Sequence, residues 1–249
     1  MNLKFENIGT ETGVGKTILV YGESGVGKST LLGTLPGKTL ILDVEGGLKV
    51  IRGREDVYRV KIPETLENLK SVFDALCGSE NIDFANVCLD SATELEKFML
   101  IRLAGDSKSG MPSLQDYGTC SFRMREYMRK LRDLREKGVN VIVTCLEMPL
   151  ELEQSDNTIR TRLYPMLARK LAPEICGLFD IVARLEVSTK AGHEGLRFLR
   201  LDGTENVIGK NRYGGGPAAA ADFSALFDAI DAGKDLKTTF EKKPTKGAK

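Results

Sequence analysis

The chain has 249 residues, 41% hydrophobic and 29% charged, which suits one large α/β domain or two small ones and excludes disorder throughout. Its 36 basic and 35 acidic side chains nearly cancel, so net charge announces no nucleic-acid binder, although a local basic groove is compatible with it. No apolar run reaches the length of a membrane span, and residues 1–20 lack a signal-peptide pattern, with Lys4, Glu6, Glu11 and Lys16 interrupting any hydrophobic stretch.

Five short apolar runs rich in β-branched residues and bounded by turn residues predict buried strands over 17–21, 39–43, 86–90, 139–145 and 179–185. Helical patterns lie between them: one after Gly27, one over about 64–76, one over 93–103 and one over 114–137. In the last, Phe122, Arg125, Met128, Leu131 and Leu134 recur at three-to-four spacing. Strand and helix alternate, which predicts an α/β fold: a mostly parallel sheet covered on both faces. Beyond residue 179 the pattern changes. Residues 196–201 alternate strictly and follow 182–187 across a glycine turn, predicting a β-hairpin, and 222–232 read as a short helix. The whole of 1–232 is expected to be a single domain. Residues 233–249, with six lysines, are expected to form a mobile basic tail. Two long stretches, 104–113 and 146–170, are predicted as functional loops.

Five cysteines, an odd number with no Cys-x-x-Cys pair, point to a reducing, cytoplasmic setting. One histidine, His193, and no cysteine pair exclude an ordinary zinc site.

Chemistry concentrates in Gly22, Glu23, Ser24, Gly25, Val26, Gly27, Lys28 and Ser29, followed by Thr30. This is a complete phosphate-binding loop between a predicted strand and a predicted helix. Glycines let successive backbone N–H groups converge on a polyphosphate, and the helix start adds a positive pole. Lys28 is expected to reach the β and γ phosphates, and Ser29 to place its hydroxyl on Mg²⁺. A near-copy over 11–17 has Thr10 at its first glycine position and no strand before it, and is read as a loop leading into the first strand. Asp90 ends an apolar strand downstream of the loop, where a carboxylate suits the Mg²⁺ shell. It also suits a helix N-cap. Asp43 and Glu45 close the second strand, at the edge where a carboxylate polarises an attacking water, and spacing does not choose between them.

With these motifs the chain resembles the RecA-like ATPases, and more closely the small RecA-core nucleotide-binding proteins of phages related to the Sak-type single-strand annealing proteins. The resemblance covers about residues 15–215. It rests on the phosphate loop, 42–48 (Leu-Asp-Val-Glu-Gly-Gly-Leu), 89–91 (Leu-Asp-Ser), 115–118 (Gln-Asp-Tyr-Gly), 141–144 (Val-Ile-Val-Thr) and 209–212 (Gly-Lys-Asn-Arg). It implies ATP and Mg²⁺ as cofactors, the strand order 5-1-4-3-2 with a C-terminal β-hairpin extension, and Glu45 as the catalytic glutamate. It further implies a homo-oligomer in which Lys210 and Arg212 reach the γ-phosphate held by the neighbouring subunit. The two long loops would line a single-stranded DNA groove, with Lys108, Arg160, Arg162, Arg169 and Lys170 on phosphates and Tyr117 or Tyr164 stacking on a base. One departure is the end of the fourth strand, which reads Thr144-Cys-Leu-Glu147 where recombinases carry a glutamine-like sensor. The expected function is an ATPase acting on single-stranded DNA in phage-type recombination or annealing, with a single-strand-binding protein as a further partner. The alternatives are a replication-associated motor or loader and a small-molecule kinase.

Overall fold

Apolar runs too short for helices build the centre of the molecule. The computed structural model describes residues 13–62, 64–105, 110–153 and 157–236. Its strands are β1 (Thr17–Gly22), β2 (Thr39–Asp43), β3 (Val57–Lys61), β4 (Asn86–Asp90), β5 (Asn140–Glu153), β6 (Ile159–Pro165), β7 (Ile181–Val187), β8 (Arg197–Arg200), β9 (Lys210–Asn211) and β10 (Ala218–Ala220). They form one sheet in the order β10-β8-β7-β1-β5-β4-β2-β3, with β6 beside β5 and β9 beside β7. Strands β7, β1, β5, β4, β2 and β3 are parallel. Taken alone, the five expected strands stand as 5-1-4-3-2, the predicted order.

Among the described residues, six α-helices cover the sheet: α1 (Lys28–Leu32), α2 (Leu66–Gly78), α3 (Ala92–Leu103), α4 (Leu114–Asp133), α5 (Leu171–Leu178) and α6 (Phe223–Asp231). Alternation along the strands sorts side chains onto two faces. Leu19, Leu42, Leu89 and Val143 face a core built with α2, α3, α4 and α5. Ile18, Ile41, Cys88 and Ile142 face a second core under α1 and α6. Phe73 of α2 stacks on Tyr127 of α4 with ring centroids 4.1 Å apart. Caps fix where the helices start: Thr65, Ser91 and Asp222 each accept an N–H from the first turn of α2, α3 and α6, and Ser113 with Asp116 forms a capping box on α4. Among the described residues, no helix is long and apolar enough to cross a membrane.

Three expectations are corrected. Residues 146–170 are not a loop: β5 runs past its predicted end to Glu153 and turns back as β6, in register from Glu147 opposite Pro165 to Glu153 opposite Ile159. The arginines in this stretch disguise a half-exposed strand as a polar loop. Residues 233–236 do not form a free tail, because Leu236 is buried in the second core; residues from 237 on lie outside the described residues. Edge strand β3 and helix α5 lie where no element was expected. The expected β7–β8 hairpin is present, with Leu185 opposite Leu199 and Val187 opposite Arg197. The near-copy of the phosphate loop does lead into β1, anchored where Lys16 N–H donates to Asn140 Oδ1 at 2.9 Å.

Candidate active site

The site is assembled at the carboxyl ends of β1, β2, β4 and β5, which parallel pairing brings to one edge. β1 delivers the phosphate loop. Gly22 ends the strand against β7, where a Cβ would lie 2.8 Å from the carbonyl oxygen of Leu185. Gly27 takes φ +107°, a conformation side-chain-bearing residues avoid. Among the described residues, the N–H groups of Gly25, Gly27, Lys28 and Ser29 make no hydrogen bond. Free amides on a glycine-rich turn form a cradle for an anion. Because α1 is only five residues long, the cradle rests on these loop amides and Lys28 rather than on a long helix pole.

Lys28 is 7% exposed and donates to the carbonyls of Gly22 at 3.0 Å and Glu23 at 2.8 Å. Burial lowers its pKa below the usual lysine value, while Glu45 and Asp90 act in the opposite sense. Ser29 Oγ donates to Asp90 Oδ2 at 2.8 Å. Asp90 is buried, and its other oxygen accepts from Thr144 Oγ1 of β5 at 2.5 Å. A hydroxyl and a carboxylate oxygen side by side are the hard oxygen donors that Mg²⁺ takes, so these residues fit that ion. The peptide between Asp90 and Ser91 is cis.

The two carboxylates at the end of β2 divide cleanly. Asp43 is buried, accepts the N–H of Gly46 at 2.7 Å and faces Arg59 at 3.5 Å, so it shapes the turn. Glu45 is exposed; its N–H donates to the carbonyl of Asp90 at 3.2 Å and its Oε1 accepts from Ser91 Oγ at 2.5 Å. Glu45 therefore stands beside Lys28, Ser29 and Asp90 with a carboxylate open to solvent.

A family model described as "AAA domain" matches residues 14–213. The chain belongs to that family. As an AAA domain with a complete phosphate loop, it is an ATP-hydrolysing enzyme. Among solved structures, one described as an ATPase domain is similar, at 12% identity and TM-score 0.46 over 82% of this chain and 80% of that chain. No curated protein matches the sequence.

The remaining expected residues of this AAA domain lie apart from the cradle. Lys210 and Arg212 sit by the start of β7, the end of the sheet away from the phosphate loop. Lys210 Nζ donates to the carbonyls of Cys176, Gly177 and Phe179 at the end of α5, at 3.4, 3.0 and 2.5 Å. Arg212 pairs with buried Asp180 at 2.9 Å and keeps 54% of its side chain exposed. Of the expected DNA contacts, Arg162 donates to the carbonyls of Thr204 and Glu205, and Arg169 to that of Glu151. Arg160 and Lys170 are exposed, and Lys108 lies outside the described residues. Tyr164 is 5% exposed within the first core, so the expectation that it stacks on a base is corrected; Tyr117 is 47% exposed on α4.

Long-range pairing supplied what the sequence reading missed. Ser91 orients Glu45 across 46 residues, and Arg197 Nε of β8 donates to the carbonyl of Val26 at 2.6 Å. Glu147, at the root of the β5–β6 hairpin, takes a bidentate pair from Arg184 at 2.8 and 3.0 Å, which holds the guanidinium charged. Glu186 and Arg200 extend this ionic row onto β8.

Proposed function

We propose that this ATPase couples hydrolysis to binding of single-stranded DNA, in the manner of phage-type recombination or annealing. One observation carries the reading: the strand that touches Asp90 is also the strand that forms the exposed hairpin. Thr144 and Glu153 belong to the same β5, and at about 3.3 Å per residue the strand reaches roughly 30 Å from the Asp90 contact to its far end. The hairpin base is anchored, because Tyr21 Oη donates to the carbonyls of Leu163 and Ile208, and Leu163 pairs with 206–208. In its outer half, residues 151–153 and 157–161 are largely exposed. Its two faces differ: Arg160 and Arg162 lie opposite Leu152 and Leu150 on one, while Glu151 and Glu153 share the other. A strand bound at the exposed Arg160 would bias β5 and, through Thr144, Asp90.

In this reading Lys28 and the loop amides neutralise charge on the β and γ phosphates, and Glu45, oriented by Ser91, polarises the attacking water. Mg²⁺, held at Ser29 and Asp90, would supply further charge neutralisation there. Arg212 is the cation offered to a neighbouring subunit's nucleotide, with Lys210 stapling its strand to α5.

Strand binding titrated against salt tests the proposal. Arg160→Glu is expected to weaken single-strand affinity and flatten the salt slope by about 0.7 per lost phosphate contact. An unchanged slope and affinity would remove the hairpin from the interface and favour the second reading, a replication-associated motor or loader.

A further inference from the structure

The β7–β8 hairpin reaches back to the phosphate loop through one side chain. Arg197 and Leu199 project from the same face of β8, and Leu199 is buried in the core beneath α1. Arg197 therefore lies on the α1 side, above that core. Its Nε donates to the carbonyl of Val26, and its Nε and Cδ lie 3.0 and 3.4 Å from where a Cβ on Gly27 would stand. The other ionic residues of these two strands, Arg184, Glu186 and Arg200, pair with one another on the opposite face.

The geometry assigns Arg197 as a positioning residue for the phosphate loop, acting in cis through the Val26–Gly27 peptide. In a planar trans peptide the C=O and N–H point in opposite directions. Holding the Val26 carbonyl outward against the guanidinium therefore aims the Gly27 N–H, one of the amides without a partner, toward the concave side of the loop. The charged donor fixes this orientation before nucleotide arrives, so it favours every nucleotide that places a phosphate there. It acts on binding and leaves the chemical step to Lys28 and Glu45.

Equilibrium titration of Arg197→Ala with ADP and with ATP separates this role from others. Removing a charged hydrogen bond is expected to weaken both nucleotides together by about tenfold, with kcat within about twofold of the parent. Arg197→Lys retains one donor for the carbonyl and is expected to recover most of the affinity. Unchanged affinity for both nucleotides in Arg197→Ala would overturn the assignment. So would a loss confined to ATP with a collapse of kcat, which would make Arg197 a direct γ-phosphate contact. A thermal midpoint for each variant, expected at the parent value because Arg197 is exposed, shows that the comparison is made on folded protein.

Discussion

At the scale of single residues, the site divides its carboxylates by what each one already holds. Asp43 is tied to the Gly46 amide and Arg59, Asp90 to Ser29 and Thr144, and Glu45 alone faces solvent with one hydroxyl on it. Glu45→Gln is accordingly expected to bind ATP normally and lose turnover by about 10²–10⁴-fold; persistent turnover in phosphate release would move the base elsewhere. Lys28→Ala is expected to lower turnover by about 10²–10³-fold through lost charge stabilisation. Lys28 also sets a pH dependence. Burial disfavours its charged form, so the ammonium is lost at a lower pH than on an ordinary lysine. ATP affinity should therefore fall on the alkaline side, beginning below the usual lysine range; a flat affinity through about pH 10 would contradict this.

Between elements, the parallel centre of the sheet was legible because β1, β2 and β4 are buried on both faces and read as unbroken apolar runs. The edge was not. β3 carries Arg59 and Lys61 on a half-exposed strand, β6 interleaves Arg160 and Arg162 with Ile159, Thr161 and Leu163, and β9 has two residues. The phosphate loop was legible because it is contiguous. The Ser91–Glu45 and Arg197–Val26 contacts were not, because no local pattern records a pairing across 46 or 171 residues. α2 and α4 pack through a stacked aromatic pair. Phe73 is fully buried and stacked on Tyr127, so Phe73→Ala should cost about 3–5 kcal/mol in denaturant unfolding. A cost near zero would mean that the α2–α4 contact is not part of the cooperative core.

Across the whole molecule, the two cores enclose the thiols. Cys88, Cys120, Cys145 and Cys176 are buried and Cys77 is half-buried, with burial pushing the Cys77 thiol up to about 11 and Cys120 and Cys176 up to about 12. A thiol reagent near neutral pH should label Cys77 first and slowly, and the other four only on unfolding; rapid labelling of all five in native buffer would contradict the packing. The proposed assembly is tested by mixing. Arg212→Ala and Glu45→Gln subunits, each inactive alone, should regain part of the turnover together if Arg212 acts on a neighbour's nucleotide, and no recovery at any ratio would count against that arrangement. The measurement that bears most directly on the proposed function is phosphate release from ATP by the full chain, with Mg²⁺ at low salt, in the presence and absence of a long single-stranded oligonucleotide. Stimulation by the strand is the predicted result; hydrolysis indifferent to the strand would contradict the coupling of β5 to DNA.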